Sequence, residues 1–138
     1  MGLTVIDAGV LIGFLDESDA HHEASTREFE SARRRDDEIA IPASALAESM
    51  VAPARNGNSS IEAAREFIDR LPLAVAELNV EVAIIAARLR ARHGQRLKLP
   101  DALVVATAMY LDSNVLVTTD RVWPSNAKLG FDGIIVTI

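Results

Sequence analysis

The sequence predicts an α/β fold in which helices cover both faces of a five-stranded, mostly parallel sheet. Short apolar runs alternate along the chain with stretches of helical periodicity, the order that builds a three-layer α/β/α domain. The length of 138 residues suits a single domain, expected to span residues 1–138. Because 49% of the residues are hydrophobic but only 4% are aromatic, the core must consist mainly of Ala, Val, Ile and Leu.

Five short apolar segments predict the strands. They are Leu3–Ile6, Glu38–Ile41, Leu73–Ala76, Val115–Thr118 and Ile134–Val136. The first is an almost unbroken apolar run, which is typical of a strand buried on both faces. Asp is disfavoured inside such a strand, so we expect Asp7 at its carboxyl end.

The first half of the chain contains three segments expected to be helical between the strands. Val10–Leu15 continues from the first strand, and Ala20–Arg35 has only a thin apolar stripe and ends on basic residues that suit a helix C-terminus. Ala43–Ala54 follows the second strand. Ser59 and Glu62 then match a capping box, which predicts that Ser59 caps the next helix.

The second half of the chain contains two longer helices and a short one. Asn79 is suited to cap a helix that Gly94 ends. Pro100 and Asp101 then begin a helix that runs to about Leu111. This last helix is apolar nearly all round, so we expect it to be central and buried. A short helix around residues 123–127 leads to the final strand.

Composition excludes several classes of site. The chain has no cysteine, which rules out disulfides, thiolate metal sites and cysteine nucleophiles and suits a reducing, cytoplasmic compartment. No signal peptide is recognisable, and no apolar run is long enough to cross a membrane. The net charge of −6 repels polyanions, so a nucleic-acid substrate would require a local basic surface, a metal ion or a partner.

Four carboxylates stand apart from the ordinary surface acids. Asp7 and Asp120 follow the first and fourth strands, Glu48 lies early in the helix after the second strand, and Asp101 opens the buried helix. If the strand order reverses at the first strand, the first and fourth strands are neighbours and the acids converge in one crevice. Two carboxylates about 5 Å apart repel by roughly 3 kcal/mol at an effective dielectric near 20. A hard cation would relieve this repulsion, and Mg²⁺ or Mn²⁺ is favoured because neither Cys nor a well-placed His is available.

Each acid also has a simpler interpretation when it is taken alone. Asp7 would cap a helix, Glu48 would be an exposed helical residue, and Asp101 would be an acid at a helix start. Asp120 would be a turn residue. Their joint placement favours a metal site, and such a site is suited to hydrolysis of a phosphodiester bond.

Basic, hydroxyl and aromatic side chains near these acids are candidate substrate contacts. The basic cluster comprises Arg88, Arg92, Arg96 and Lys98. It would bind phosphates, or it is simply a solvated helix end. Thr118 is a further candidate and would lend its hydroxyl to the site. Trp123 would stack on a base or serve as a packing anchor.

Four segments of the sequence together resemble the PIN domains, and within them the VapC-type toxins of toxin–antitoxin pairs. Val5–Ile12 is similar to the opening strand and acid of that family, and Ile41–Glu48 is similar to its second-acid helix. Leu99–Ala108 resembles the third-acid segment and is the most specific of the set. Leu116–Arg121 resembles the fourth. The resemblance covers essentially the whole chain.

The resemblance implies a five-stranded parallel sheet, Mg²⁺- or Mn²⁺-dependent endoribonuclease activity, a homodimer, and neutralisation by a cognate antitoxin. It assigns a catalytic, metal-binding role to Asp7, Glu48, Asp101 and Asp120. The sequence departs from the family pattern at Ala8 and Gly9, where the family often has small hydroxyl residues. This departure removes a hydroxyl that could hydrogen-bond to Asp7 and leaves the acid itself in place.

Two other functions compete with a ribonuclease. An inactive PIN-like module that binds proteins is the main alternative, and the presence of all four acids argues against it. A phosphatase of the haloacid dehalogenase type also has an apolar strand ending in Asp. That family requires a second Asp two residues later, where this chain has Gly9.

Overall fold

The computed structural model describes all 138 residues and contains one five-stranded parallel sheet. The strands are β1 (Leu3–Ile6), β2 (Glu38–Pro42), β3 (Leu73–Ala76), β4 (Val115–Thr118) and β5 (Ile134–Thr137). All four strand pairings are parallel, so the expected α/β class and the five strands are confirmed.

The strand order is β3-β2-β1-β4-β5, which reverses at β1. Within β1, Val5 pairs with Ala40 of β2 on one side and with Leu116 of β4 on the other. From β1 the chain therefore adds β2 and β3 on one side, and it then crosses back to add β4 and β5 on the other side. β1 and β4 are neighbours at this reversal, as expected, and in such sheets ligands bind beyond the carboxyl ends of the strands at the reversal.

Eight helices and one 3₁₀ turn connect the strands. They are α1 (Ala8–Leu15), α2 (His22–Arg34), α3 (Ala43–Ser49), α4 (Val51–Arg55), α5 (Asn58–Asp69), α6 (Val80–His93), the 3₁₀ turn (Gly94–Arg96), α7 (Leu99–Tyr110) and α8 (Asn126–Leu129). None of these helices has the length and apolar character needed to cross a membrane.

The segment expected to be a single helix after β2 is two helices, α3 and α4, so that prediction is wrong. The break falls at Met50. Pro53 explains it, because proline has no N–H to donate to the carbonyl four residues back and its ring clashes there. In the observed arrangement Pro53 lies in the first turn of α4, where no such donor is needed.

The capping box expected at Ser59 is also absent. Helix α5 begins at Asn58, and its N-cap residue is Gly57, which makes no side-chain capping bond. Gly57 has φ 103°, a left-handed conformation that favours glycine. The helix is therefore capped two residues earlier than expected, at Gly57 instead of Ser59, and Ser59 lies inside its first turn.

Helix α7 is the central buried helix, as its sequence predicts. Its buried residues are Ala102, Val104, Val105, Ala106, Thr107 and Ala108. It packs along α6, and the fully buried Leu97 fills the connection between the two helices. The predicted cap of α6 is present, since the backbone N–H of Val82 donates to Oδ1 of Asn79 over 2.9 Å. This packing holds the first turn of α7, which carries Asp101, in a fixed place.

Candidate active site

Asp7 lies at the carboxyl end of β1 and begins α1. Its backbone N–H donates to the carbonyl of Val117, which extends the pairing of β1 with β4 by one residue. Its side chain caps α1, because the backbone N–H of Val10 donates to Oδ1 over 3.1 Å. The simpler interpretation is therefore confirmed, since Asp7 does cap α1. Capping occupies only Oδ1 and leaves Oδ2 for another role.

The second oxygen of Asp7 is bound by the segment that follows β4. Oδ2 accepts a hydrogen bond from the Thr118 hydroxyl over 2.5 Å and a longer one from the Thr119 backbone N–H over 3.3 Å. Asp7 is only 7% exposed. Burial raises the pKa of its carboxyl, the hydrogen bonds partly oppose that shift, and the nearby charge of Asp120 adds to it.

Thr118 connects two of the four acids. Besides donating to Asp7, its hydroxyl accepts the backbone N–H of Asp120 over 3.0 Å. The side chain is completely buried. Thr118 was also a candidate substrate contact, but a hydroxyl enclosed in this way cannot touch RNA. We assign it instead to holding Asp7, the role for which its hydroxyl was first considered.

The charges of all three other acids act on the carboxyl of Asp101. It is half-buried in the first turn of α7, and its pKa is raised to about 6. Burial is the largest cause, and the charges of Asp120, Asp7 and Glu48 act in the same direction. The indole of Trp123 opposes the shift. The structure thus brings all four acids within electrostatic reach of one another.

Glu48 lies in the last turn of α3 because that helix is shorter than expected. Its side chain is exposed, and its pKa is raised by partial burial of the carboxyl and by the charge of Asp7. Asp120 stands in the loop after β4, where its Oδ1 accepts the backbone N–H of Val122 over 2.8 Å. Asp7 is therefore the most deeply buried of the four acids, Asp101 and Asp120 are partly buried, and Glu48 is exposed.

No basic side chain forms an ion pair with any of the four acids. No cation contributes to the raised pKa values of Asp7, Glu48 and Asp101 either. Oxygen donors that carry uncompensated negative charge fit a hard divalent cation such as Mg²⁺ or Mn²⁺. No three acidic or histidine side chains are already arranged as a ligand set, so binding would require the carboxylates to move closer together.

The four basic candidates lie along one continuous segment outside the acidic cluster. Arg88 and Arg92 stand on the last turns of α6, Arg96 ends the 3₁₀ turn, and Lys98 precedes α7. All four side chains are exposed, and none forms an ion pair. These residues do not neutralise the acids. They form an exposed, positively charged surface along the segment that precedes Asp101 in the sequence.

Gly9 has a steric explanation in the structure. A Cβ atom placed on it would lie 2.2 Å from Oγ1 and 2.9 Å from Cγ2 of Thr119. The side chain of Thr119 therefore fills the space beside Asp7 that a side chain at position 9 would need. Where the family often has a hydroxyl side chain at position 9, this chain has the hydroxyl of Thr119 in the adjacent space.

Sequence reasoning missed Thr119 because its two contacts, with Asp7 and with Gly9, join residues about 110 positions apart in the chain. Trp123 was considered as a stacking or packing residue. Its ring packs against the hydrophobic core, while its indole N–H is buried and makes no hydrogen bond of ordinary length and angle. A single tryptophan placed three residues after a site acid was the only available sign of this feature.

Comparison with known proteins identifies the family. The family model for the PIN domain matches residues 4–129. An uncharacterised protein from Archaeoglobus fulgidus is 57% identical over 44 residues. That match covers 32% of this chain and 66% of the relative, so the chain spans just under two thirds of the relative's length.

Solved structures with the same fold include toxin–antitoxin proteins. A toxin–antitoxin complex from Klebsiella pneumoniae superposes with a TM-score of 0.71 at 20% identity, covering 98% of this chain and 99% of that one. VapBC2 from Rickettsia felis, bound to a fragment of promoter DNA, gives 0.72 at 15% identity, covering 99% and 98%. VapC20 from Mycobacterium tuberculosis, a toxin that cleaves the sarcin–ricin loop, gives 0.70 at 15% identity, covering 98% and 99%.

At 15–20% identity these structural similarities establish the fold and nothing further. The match to the family model does not depend on them, and it extends over most of the chain, from β1 to the end of α8. The sheet order and the acids at its carboxyl edge agree with that match. The chain therefore belongs to the PIN-domain family.

Proposed function

We propose that this protein is a Mg²⁺- or Mn²⁺-dependent endoribonuclease that acts as the toxin of a toxin–antitoxin pair. PIN domains are typically nucleases and generally use divalent metal ions. The observation that carries the proposal is that the charges of three carboxylates act on a fourth, near the point where the strand order reverses, and that no basic side chain is paired with any of the four. Burying like charges together is costly, and a cation that relieves the cost explains why they stand there.

Asp7, Glu48, Asp101 and Asp120 would hold the cation and together form the catalytic centre. When bound, the cation would lower the pKa of a water molecule and stabilise the charge that develops on the phosphate. Thr118 fixes the orientation of Asp7 by holding Oδ2. The acids repel the phosphates of RNA, so productive RNA binding requires the cation to be in place first.

The basic cluster of Arg88, Arg92, Arg96 and Lys98 would bind the RNA backbone. Its exposed and unpaired charges support this role, since the net charge of −6 otherwise repels RNA. Contacts with phosphates carry no sequence information, so they would orient the RNA rather than select it. Neutralising the cluster should therefore weaken RNA binding and reduce its dependence on salt concentration.

We further propose that the protein is a cytoplasmic homodimer that a cognate antitoxin neutralises. The proposal is supported by the solved structure from Klebsiella pneumoniae, which is a toxin–antitoxin complex of the same fold. Analytical ultracentrifugation tests the dimer through the mass of the purified chain, which is 14.9 kDa as a monomer. A mass that stays at the monomer value over a wide range of concentrations would refute the dimer.

RNA cleavage tests the proposed activity. We expect the parent protein to cut a structured RNA with Mg²⁺ or Mn²⁺ and to stop when EDTA is added. Asp7→Asn and Asp101→Asn should each abolish cleavage, whereas Glu66→Gln, an exposed acid on α5, should leave it intact. Retention of cleavage in both Asn variants would refute the site. Metal binding without cleavage of any RNA would instead favour a protein-binding module.

Expression in a bacterial host tests the toxin role separately. Production of the parent protein should arrest growth, and Asp7→Asn should restore it at the same protein level. Growth arrest by both proteins would mean that toxicity does not depend on the acidic site.

A further inference from the structure

A surface pocket of about 420 Å³ lies between α6, α7 and α8. Its apolar lining consists of four side chains: Ile85, Leu89, Met109 and Leu129. Leu89 and Leu129 belong to the hydrophobic core, and Ile85 and Met109 are half-buried against it. The pocket therefore has an apolar floor that the core holds in place.

Arg88 and Arg92 line the same pocket and supply its charge. They lie four residues apart on α6, so both side chains lie on one face of the helix, the face that also carries Ile85 and Leu89. Both arginines are exposed, and neither forms an ion pair. No acidic residue lines the pocket. It therefore combines an apolar floor with two unpaired positive charges.

The packing of arginine stems on apolar surface explains only part of this arrangement. Arginine often covers such surface with its stem while its charged group reaches water, and this accounts for one arginine without any ligand. Two arginines at one pocket repel each other, and no carboxylate in the lining offsets the repulsion. Other pockets of this protein include acids, such as Asp69 in one and Asp112 and Asp132 in another. On a chain of net charge −6, a pocket whose charges are all positive favours an anionic ligand.

The size and lining of the pocket favour a nucleotide over a protein helix. Its volume lies within the range of about 300–1,000 Å³ that is typical of small-molecule sites. A docked helix is about 10–12 Å across and lies in a long groove, whereas this pocket is local. Guanidinium groups bind phosphate and stack on aromatic rings, and methionine sulfur also contacts aromatic rings favourably. An unstacked base joined to its phosphate presents both kinds of group.

We propose that this pocket binds one unstacked nucleotide of a single-stranded RNA, with the base against Met109 and the phosphate on Arg88 and Arg92. This inference rests on the proposed function, because it takes the nucleotide to be part of the RNA substrate. Sequence-specific proteins bind RNA mainly through unstacked bases. Contacts with phosphates alone carry no sequence information, so the pocket would add a preference for particular bases.

Methyl NMR in EDTA tests the pocket without any cleavage. The chain has three methionines, and Met50 lines a different pocket, so it serves as an internal control. Millimolar AMP, GMP, CMP or UMP should move the Met109 methyl signal upfield, because a nearby base ring shields it, and should leave Met50 unmoved. Ribose 5-phosphate, which lacks the base, should cause no such upfield shift. The proposal is overturned if no nucleotide shifts Met109, or if ribose 5-phosphate shifts it equally.

Charge variants test the phosphate contact through the Kd of AMP measured from the same signal. Arg88→Gln and Arg92→Gln should each raise that Kd about 10-fold, the order expected when a hydrogen bond between charged groups is lost. Arg55→Gln removes the same charge from an exposed position on α4, outside the pocket, and should leave the Kd unchanged. Equal weakening in all three variants would mean that AMP responds to net charge alone, which would refute the pocket.

Gly130 offers a second test at the same pocket. Its φ is 74°, a conformation that Asn and Asp tolerate, and an added Cβ would meet nothing within 4 Å. Gly130→Asp therefore adds a negative charge, and Gly130→Asn adds nearly the same shape without charge. The Asp variant should bind AMP about 3-fold more weakly than the Asn variant, because its carboxylate repels the phosphate. Equal affinities would contradict an anionic ligand.

The outcomes separate this inference from the proposed function. If the parent protein cleaves RNA but nucleotides leave Met109 unmoved, the pocket is refuted and the ribonuclease proposal stands. If nucleotides bind at Met109 but no RNA is cut with Mg²⁺ or Mn²⁺, the nucleotide pocket is supported and the ribonuclease proposal fails. If an acidic amphipathic helical peptide shifts Met109 and nucleotides do not, the pocket binds a protein, and the inference is wrong.

Discussion

Replacing Asp101 by Asn should stabilise the metal-free protein at neutral pH. Folding raises the pKa of this carboxyl from 3.8 to about 6, a shift of about 2 units. Each unit corresponds to about 1.4 kcal/mol, which would give about 3 kcal/mol of destabilisation if the group were fully shielded from water. Asp101 is half-buried, so screening by solvent reduces the cost to about 1–2 kcal/mol.

A smaller effect acts in the opposite direction. Asp101 lies in the first turn of α7, where a negative charge interacts favourably with the helix dipole by about 0.3–1 kcal/mol. Asn loses that interaction. The net expectation for Asp101→Asn is therefore about 1 kcal/mol of additional stability at pH 7 without metal.

The pH dependence identifies the cause. Because the folded-state pKa lies above the unfolded-state value, the charge of Asp101 destabilises the fold fully above about pH 6 and not at all well below 3.8. The parent protein should therefore lose stability relative to Asp101→Asn as the pH rises between these two values. Adding Mg²⁺ at pH 7 should reverse the order, since a bound cation stabilises only the parent.

Urea denaturation in EDTA at several pH values measures these differences, with Glu66→Gln as the exposed control expected to stay within about 0.5 kcal/mol of the parent. The reasoning fails if Asp101→Asn is clearly less stable than the parent at pH 7 in EDTA. It also fails if the difference between the two proteins does not change with pH. Either result would mean that Asp101 serves as a helix-start acid and not as part of a repulsive cluster.

Three further predictions test individual contacts. Gly9→Ala should cost about 1–2 kcal/mol of stability in urea, because its Cβ would lie 2.2 Å from the Thr119 hydroxyl oxygen. Combining it with Thr119→Ala should remove most of that cost, and an equal cost in both backgrounds would contradict the steric explanation. Thr118→Val should weaken Mn²⁺ binding by about 10-fold or more in calorimetry by freeing Asp7, while Thr118→Ser should retain the affinity; equal affinity in the Val variant would refute the assigned role. Asn79→Ala should lower the unfolding free energy by about 1 kcal/mol through loss of the α6 cap, and Asn79→Asp should not; a neutral Ala variant would show that the cap is dispensable.

The sequence predicted the elements that depend on local patterns. The five strands and the buried helix α7 follow from short apolar runs and from helical periodicity, which extend over only a few residues. The two errors near α4 and α5 arose where proline and glycine determine the backbone. There the conformations of Pro53 and Gly57 took precedence over apolar spacing and over the Ser59 capping motif.

The sequence alone also selected the four acids as a group, because it predicted each of them at the carboxyl edge of the sheet or near a helix start. Only the tertiary structure decided how each acid is held. The two bonds to Oδ2 of Asp7 come from residues 111 and 112 positions away, so no local pattern could indicate them. Likewise, the space that excludes a side chain at Gly9 belongs to Thr119, which lies 110 positions later in the chain. The pKa of a carboxyl group depends on its burial and on nearby charges and hydrogen-bond donors. These are properties of the folded chain rather than of any one segment.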